Sequence, residues 1–377
     1  MSAIQTKKFR DGRTDFIFAN FVVPGAGDLA AVRAALEQCE GDFGLRNVVR
    51  QTFFLAEGES RDVVEAAVSE AYGENIPGTN YVYQPPADGE PLAAEMWAFT
   101  DGTVTGNEGH ASVASWAGAK WSFVGGLLAG EGERPEEGAR RVLEEAEDVF
   151  ARLGSDFRNI VRTWYYMGNI LAPDRGEPRY NFFNQARNEF YLDKWPDLCA
   201  TPASTGIGMN TDRFAFEAVA VDGDADAFEV VWVDNPLQTP PHRYSIDAQQ
   251  VRKPSFSRAA CVALKDCIVV FVSGTASIRE SKVIRLGDAR AQTVVTIENI
   301  EALVGRENLV DRYGLARGAE LSDVQQLRVY VKRPQDVETV RECCRASFPD
   351  VPASYMIGDV CRPECLMEIE AVLAVGL

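Results

Sequence analysis

Histidine is scarce in this chain, and long apolar runs are missing. The 377 residues include two histidines, His110 and His242, which leaves few options for a nucleophile activated by an imidazole. The most apolar stretches, residues 123–129 and 267–272, are far shorter than the roughly 20 residues that cross a bilayer. No G-x-S-x-G, G-x-x-x-x-G-K or G-x-G-x-x-G motif follows a strand-like segment. Any catalysis would therefore depend on carboxylates, arginines or tyrosines.

Positive charge is also in short supply. The chain has 38 Lys and Arg against 56 Asp and Glu, which gives a net charge of −18. A surface this acidic repels phosphate backbones and anionic lipids. The first fourteen residues are polar and contain no signal-peptide core. We therefore expect a cytoplasmic protein that binds neither nucleic acid nor membranes.

Eight cysteines are present, but a chain of this length can build a core without disulfides. Free thiols are therefore expected. Cys361 and Cys365 form an isolated C-x3-C pair, and both histidines lie far away in the sequence, which disfavours a zinc site. We expect neither a metal nor another cofactor.

A ten-residue pattern occurs twice and returns in a weaker third copy. Residues 46–55 align without a gap with residues 158–167, and four positions are identical. The weaker copy covers residues 322–331. Each copy is β-branched and aromatic between polar flanks, which predicts a strand.

The flanks of these strands repeat as well. An amphipathic helix is predicted before each strand, at residues 29–39, 139–153 and 291–304, and a second helix is predicted after it. A strand led by proline follows, at Pro77, Pro202 and Pro352. Each copy then ends on a glutamate within an apolar strand, namely Glu95, Glu217 and Glu368.

This repeat predicts an α+β fold of three tandem modules. Each helix–strand–helix–strand–strand unit leaves one sheet face open, so three units should close into a ring. We place a divergent first module, shortened at its front, at residues 1–101, and a second at residues 102–235. A connection at 236–254 would lead to the C-terminal module at 255–377.

The pattern resembles the RidA (YjgF) superfamily, whose small members form trimers with ligand sites at subunit interfaces. Three fused copies would form a pseudo-trimer. Over roughly residues 130–375 the chain is similar to one branch, the chorismatases, which release pyruvate from chorismate. The stretches that carry this resemblance include Arg162-Thr163-Trp164, residues 180–187, Pro202-Ala203-Ser204-Thr205-Gly206-Ile207-Gly208, Asp234-Asn235-Pro236, residues 252–259, Ser273-Gly274-Thr275-Ala276, Gly287-Asp288 and residues 359–370.

The resemblance implies a cofactor-free lyase or hydrolase of secondary metabolism. Its substrate would be chorismate or a related enolpyruvyl cyclohexadiene carboxylate. The chain would be a monomer with internal pseudo-threefold symmetry or a weak homo-oligomer. Glu368 would protonate the enolpyruvyl methylene. Cys361 would shape the ring pocket, since relatives with cysteine there yield hydroxybenzoate and those with a small residue yield a dihydroxycyclohexadiene carboxylate.

The residue chemistry agrees with these two roles but leaves an alternative for each. Burial raises the pKa of a carboxyl group, so Glu368 could stay protonated near neutral pH and act as an acid. Alternatively, it is structural, because Glu95 and Glu217 stand at matching places. Cys361 could equally be a small apolar filler.

Chorismate has two carboxylates, and the planar fork of arginine binds a carboxylate through two hydrogen bonds. Arg162 and Arg252 are the candidates. Alternatively, Arg162 pairs with an acidic neighbour and Arg252 is a solvated charge. Gly274 and Thr275 end an apolar strand, where a backbone could approach a substrate and a hydroxyl could bind it, or where the chain simply turns.

Tyr180 and Arg187 are seven residues apart on a predicted helix and so share a face that could bind substrate. The alternative is packing with a snorkelling cation.

Two other functions stay open on the sequence. One is a non-catalytic RidA-like protein that binds a small molecule. The other is a RidA-type imine or enamine deaminase, which would use an arginine after the proline-led turn. None of residues 78–79, 203–204 or 353–355 is arginine. The chain also departs from chorismatases at residues 279–282, where a Gly-His pair is usual, and at residues 250–251, where Tyr-Gly-Pro usually leads into the arginine.

Overall fold

Three mixed β-sheets follow one another along the chain in the computed structural model. It describes residues 4–11, 14–24, 28–100, 104–108 (as backbone), 111–130, 132–224, 226–244 and 252–377. His110, Gln250, Val251 and the predicted boundary at 101 lie outside these ranges. In the part of the chain described, no helix has both the length and the hydropathy to span a bilayer.

The first module contains five strands and two helices: β1 (Gln5–Arg10), β2 (Asp15–Val23), α1 (Leu29–Phe43), β3 (Val48–Leu55), α2 (Arg61–Tyr72), β4 (Gly78–Val82) and β5 (Leu92–Phe99). The second contains β6 (Val104–Glu108), β7 (Ala111–Trp116), β8 (Ala119–Leu128), α3 (Pro135–Arg152), β9 (Ile160–Gly168), the two-residue strands β10 (Pro173–Asp174) and β11 (Glu177–Pro178), α4 (Arg179–Leu192), β12 (Ala203–Met209) and β13 (Phe214–Asp222).

The third module contains β14 (Phe228–Val233), β15 (Ala259–Leu264), β16 (Cys267–Thr275), the short strands β17 (Ile278–Arg279) and β18 (Lys282–Val283), α5 (Ala289–Val304), α6 (Arg306–Leu309), β19 (Val324–Val331), α7 (Val337–Ser347), β20 (Ala353–Ile357) and β21 (Met367–Gly376). Because β14 pairs with β15, this sheet begins inside the range predicted for the second module. The predicted boundary at residue 235 is therefore too late.

The three sheets share one strand order, which confirms the α+β class. The orders are β1-β2-β5-β3-β4, β6-β7-β8-β13-β9-β12 and β14-β15-β16-β21-β19-β20. In each sheet the last two strands are parallel and a helix connects them, as in a βαβ unit. Among the described residues the first sheet has five strands and the other two have six. The predicted shortening of the first module stays a prediction.

The local sequence explains the helices. Pro135 lies in the first turn of α3, where its missing N–H costs nothing, and two glutamates follow it. The carboxylates of Asp28 and Asp288 accept backbone N–H groups and cap α1 and α5. The predicted strands begin slightly later than expected, because a 3-10 turn occupies the polar start of each ten-residue segment.

Each sheet buries two faces. One face packs beneath the module's own helices, and this produces three separate hydrophobic cores. The opposite faces of all three sheets meet in a common aromatic core, where Trp97 of the first module contacts Trp164 of the second and Phe271 of the third. The modules therefore close around one another.

Candidate active site

Each seam between modules buries one arginine–glutamate ion pair. The pairs are Arg50 with Glu217, Arg162 with Glu370, and Arg328 with Glu95. All six residues are at most 5% exposed. The arginines lie on β3, β9 and β19, and they join the first module to the second, the second to the third, and the third to the first. This cyclic order is what a pseudo-threefold ring requires.

The strand register corrects the predicted equivalence of the three glutamates. Across the central strand pairs, Glu95 faces Thr52, Glu217 faces Trp164 and Glu370 faces Arg328. These three partners occupy the same position of the aligned ten-residue segments. Glu370 is therefore the counterpart of Glu95 and Glu217, and the assignment of Glu368 to that place was wrong.

Glu368 has no acidic counterpart in the other modules. It faces Tyr330 across the β19–β21 pair, whereas the matching positions are occupied by Ala93 and Ala215. The argument that three equivalent glutamates cannot all be catalytic therefore does not apply to it. Glu368 is an additional acid, found at the seam between the second and third modules.

The Glu368 carboxyl group lies against the backbone of Gly274. Its side chain is buried, and a Cβ added at Gly274 would lie 2.0 Å from Glu368 Oε1. Only glycine leaves room for this approach. The Thr205 hydroxyl, from β12 of the second module, accepts a 3.0 Å hydrogen bond from the Gly274 amide. The acid therefore lies where β12, β16 and β21 meet.

Burial, and next the neighbouring Glu370 carboxylate, raise the pKa of Glu368 to about 8, although Arg162 and Arg258 oppose the shift. Loss of solvation penalises the charged form of a carboxyl group, and a second negative charge penalises it further. Glu368 is therefore protonated at neutral pH and can donate a proton.

Glu370, two residues along the same face of β21, is held in the opposite state. Burial alone would raise its pKa, but Arg328 and Arg162 outweigh burial, and the pKa of Glu370 is lowered. Trp164 Nε1 donates a 2.7 Å hydrogen bond to Glu370 Oε1, and the Thr205 hydroxyl donates to Oε2. One strand face thus presents a protonated and an ionised carboxyl group side by side.

Tyr180 and Cys361 are close enough to this acid to interact with its charge. Both groups are electrostatically coupled to Glu368, and the Tyr180 ring lies 3.2 Å from the position that a Cβ on Gly206 would take. Burial, followed by the Glu368 charge, raises the pKa of Cys361 to about 12, so the thiol stays neutral. Gly206 and Gly274 are partly exposed although the neighbouring residues of their strands are buried. Solvent therefore reaches the seam beside the acid.

Arg162 is already bound to protein groups. Its Nη2 lies 2.7 Å from Glu370 Oε2 and donates a 2.5 Å hydrogen bond to the Thr205 hydroxyl, and the guanidinium lies 4.4 Å above the Trp164 ring. This is the acidic-neighbour alternative stated for Arg162. Its proposed contact with substrate stays a prediction.

Arg252 lies near the second module's short hairpin. Its Nε is 3.3 Å from Glu177 Oε2, its Nη1 donates to Gln185, and its guanidinium lies 5.1 Å from the Phe182 ring. None of the contacts described for Arg252 involves Glu368. Its role as a carboxylate ligand also stays a prediction.

Thr275 and Arg187 make internal contacts. The Thr275 hydroxyl donates a 2.8 Å hydrogen bond to the Ser273 carbonyl, so it is bound to its own strand. Arg187 Nη2 donates to Asn184 Oδ1 at 2.9 Å beneath the Phe183 ring. Because Arg187 is 1% exposed, the interpretation of a snorkelling cation is wrong.

Comparison with known proteins identifies the family. A family model described as chorismatase FkbO/Hyg5-like, N-terminal, matches residues 95–220. A chorismatase from Streptomyces rapamycinicus is 33% identical over 276 residues, which are 71% of this chain and 80% of that protein. This chain belongs to the chorismatase family.

Two further chorismatase-related proteins are similar to the chain. A 3-hydroxybenzoate synthase from Streptomyces hygroscopicus is 33% identical over 58% of this chain and 64% of its own length. A crystal structure of a chorismatase covers 99% of this chain and all of its own, at 23% identity and a TM-score of 0.72, which shows that the fold is shared.

Arg279, the first residue of the stretch 279–282 that departs from the chorismatase pattern, is bound to α5. Arg279 donates to Asn299 and forms an ion pair with Glu298, both on α5. These partners hold the Arg279 guanidinium against α5. The other departure, at residues 250–251, lies outside the described ranges.

The sequence interpretation missed Arg258 and Thr205 as site residues of this chorismatase. Arg258 is 2% exposed and acts on the Glu368 charge, and it donates to the Tyr244 hydroxyl and the Thr239 carbonyl. In the described part of the chain its Nε has no hydrogen-bond partner. Both residues stand inside stretches that carry the chorismatase resemblance, and that was the available signal.

Proposed function

We propose that this chain is a cytoplasmic enzyme of secondary metabolism that releases pyruvate from chorismate and yields a hydroxybenzoate. One observation carries the proposal: the buried Glu368, whose pKa is raised to about 8 by burial, stands at a single seam, where the other modules have alanine. A buried acid with a pKa near the working pH is suited to proton transfer. Family membership supplies the substrate class, through the activities for which the relatives are named.

Glu368 would protonate the methylene carbon of the enolpyruvyl ether. The ether carbon then becomes an oxocarbenium ion, and Glu368 is left as a carboxylate that balances its charge. Arg162 and Arg258 stabilise that carboxylate after the proton has left. Glu368 therefore supplies both the proton and the negative charge that balances the oxocarbenium ion.

Two product outcomes differ in their use of water. Chorismate has the same atoms as pyruvate and hydroxybenzoate together, so this outcome consumes no water overall. Release of a dihydroxycyclohexadiene carboxylate consumes one water molecule. The Cys361 thiol is neutral and interacts with Tyr180, and it would occupy space over the substrate ring, which favours the hydroxybenzoate branch.

We assign the first carboxylate contact to Arg258. Its Nε has no partner among the described residues, and a buried guanidinium gains most from binding an anion that completes its hydrogen bonds. Arg162 would stabilise this contact indirectly, through its ion pair with Glu370 and its hydrogen bond to the Thr205 hydroxyl. Gly274 leaves room for the Glu368 carboxyl group, and its predicted contact with substrate stays a prediction. Thr275, Arg187 and Arg252 stay predicted contributors.

The experiment is an incubation of the purified protein with chorismate, with pyruvate measured continuously and the aromatic or dienic product separated by chromatography. We expect pyruvate and hydroxybenzoate in equal amounts. Glu368→Gln should lower kcat roughly 100-fold or more, as expected for loss of a general acid. Glu229→Gln, an exposed glutamate on β14, is the control and should keep full activity.

Three results would contradict the proposal. If the protein releases no pyruvate but chorismate raises its melting temperature, it binds without catalysis. If it releases ammonia from 2-aminoacrylate and no pyruvate from chorismate, the deaminase hypothesis replaces this one. Full activity in Glu368→Gln would leave the reaction standing and remove its assigned acid.

A further inference from the structure

Arg328 bridges two carboxylates that belong to different modules. Its Nε and Nη2 contact both Glu95 oxygens at 2.5 to 3.1 Å, and its Nη1 lies 3.2 Å from Glu370 Oε1. Glu95 belongs to β5 of the first module, which contributes none of the residues described around Glu368. A chain of ion pairs therefore connects the first module to the seam between the second and third modules.

The chain continues from Glu370 to the acid. Glu370 and Glu368 are two residues apart on one face of β21. Thr205 donates to Glu370 and accepts from the Gly274 amide, and Gly274 is the backbone against which Glu368 lies. Both the position and the charge of Glu370 therefore act on Glu368.

Little water separates these groups. The cavity between Glu95, Arg162, Arg328 and Glu370 has a volume of about 10 Å³, room for one water molecule at most. Charges in such a dry interior act on one another more strongly than surface charges do. A change in the charge of Glu95 should therefore change the pKa of Glu368.

We propose that Glu95 is a positioning residue for the acid Glu368, acting through Arg328 and Glu370. The proposal rests on the proposed function, in which Glu368 must hold a proton. By sharing Arg328, Glu95 limits how far that arginine neutralises Glu370. Burial first, and then the remaining negative charge on Glu370, keep the proton on Glu368.

The sign of the effect follows from the groups that face Glu368. They are Glu370 on its own strand, Arg162 on β9, Arg258 before β15, Tyr180 on α4, and Cys361 and Cys365 before β21. Removing the Glu95 charge frees Arg328 for Glu370 and adds one net positive charge, which favours ionised Glu368. Removing Glu95 and Arg328 together leaves Glu370 with Arg162 alone, which disfavours ionised Glu368.

The test is the pH dependence of kcat/KM for pyruvate release, whose alkaline limb reports the acid of the free enzyme. We expect Glu95→Gln to move this limb to lower pH by roughly half a unit to one unit. The double variant Glu95→Gln, Arg328→Met should move it to higher pH. Glu95→Asp keeps the charge and should restore the parent limb.

The matched control is Glu217→Gln. Glu217 is as buried as Glu95 and pairs with a seam arginine, Arg50, which contacts no second carboxylate in the described part of the chain. The Glu217→Gln variant should be less stable than the parent, but the alkaline limb of its kcat/KM profile should stay at the parent's pH. Equal shifts in Glu95→Gln and Glu217→Gln would show a general structural effect and overturn the proposal.

A second measurement separates failure of this inference from failure of the proposed function. The difference in pH-dependent stability between each background and its Glu368→Gln derivative reports the Glu368 proton without turnover. If the parent releases no pyruvate, the proposed function fails, but a shifted stability difference would still support the coupling. The coupling would be overturned if neither Glu95→Gln nor the double variant shifted the alkaline limb of kcat/KM or the stability difference.

Discussion

Replacing Glu368 by glutamine should make the protein more stable at alkaline pH than the parent. The pKa of Glu368 is raised from 4.5 to about 8, so the folded state keeps a proton that the unfolded state has released between these two values. The parent's free energy of unfolding is then highest below pH 4.5 and falls as the pH rises to about 8. Glutamine does not titrate, so the variant lacks this fall.

The magnitude follows from the width of that window. A difference of 3.5 pKa units corresponds to about 5 kcal/mol at 1.4 kcal/mol per unit, and half of it develops by the middle of the window, near pH 6. Because Glu368 is 4% exposed, solvent does little to reduce the effect. A change of several kcal/mol is large against the 5–15 kcal/mol that typically stabilises a domain.

Urea titrations at pH 5, 7 and 8.5 and constant ionic strength would measure it. We expect the difference between Glu368→Gln and the parent to grow with pH in favour of the variant, by roughly 3 to 5 kcal/mol over this range. Glu229→Gln is the control and should follow the parent at every pH. Parallel curves for Glu368→Gln and the parent would refute the assigned proton and, with it, the acid in the mechanism.

Three other substitutions test separate parts of the site. Gly274→Ala should lower kcat roughly 100-fold without unfolding the protein, since the new methyl group would displace the acid. Gly376→Ala, where a Cβ meets nothing within 4 Å, is its control in both activity and melting temperature. Arg162→Gln should cost about 3 to 5 kcal/mol of unfolding free energy by urea titration, because it leaves Glu370 with one arginine fewer. Cys361→Ala should shift the product from hydroxybenzoate towards the diene, as chromatography would show, if the thiol shapes the ring pocket.

The repeated segments predicted much of the fold because each module must bury the same two faces. The ten-residue segments became β3, β9 and β19, and the proline-led segments became β4, β12 and β20. The roles of Glu368 and Cys361 came from the resemblance, Tyr180 from helical spacing and Gly274 from its place near the end of an apolar strand. The structure brings these four residues to one seam.

The sequence could not show the register in which the strands pair. Glu368 and Glu370 lie on one face of one strand, and only pairing with β19 shows which of them matches Glu95. Partner choice was equally hidden, since Arg162 and Glu370 are 208 residues apart. Arg328 was missed because the third module has Gln326 where the others have their seam arginine, so the ion pair moved two residues along the strand.

The two glutamates of β21 have different roles, one in folding stability and the other in the proposed chemistry. The ionised Glu370 belongs to the ring of ion pairs, and breaking such a buried pair is strongly destabilising. Among the described residues Glu368 forms no such pair, and the fold accommodates it because a protonated carboxyl group costs far less to bury than a charged one. The proton that suits Glu368 to catalysis is thus the same proton that makes its burial tolerable. The stability that this proton contributes should therefore be lost between pH 4.5 and about 8, and activity should decline as the pH passes about 8. A variant that lowers the Glu368 pKa should move both the end of the stability loss and the decline in activity to lower pH.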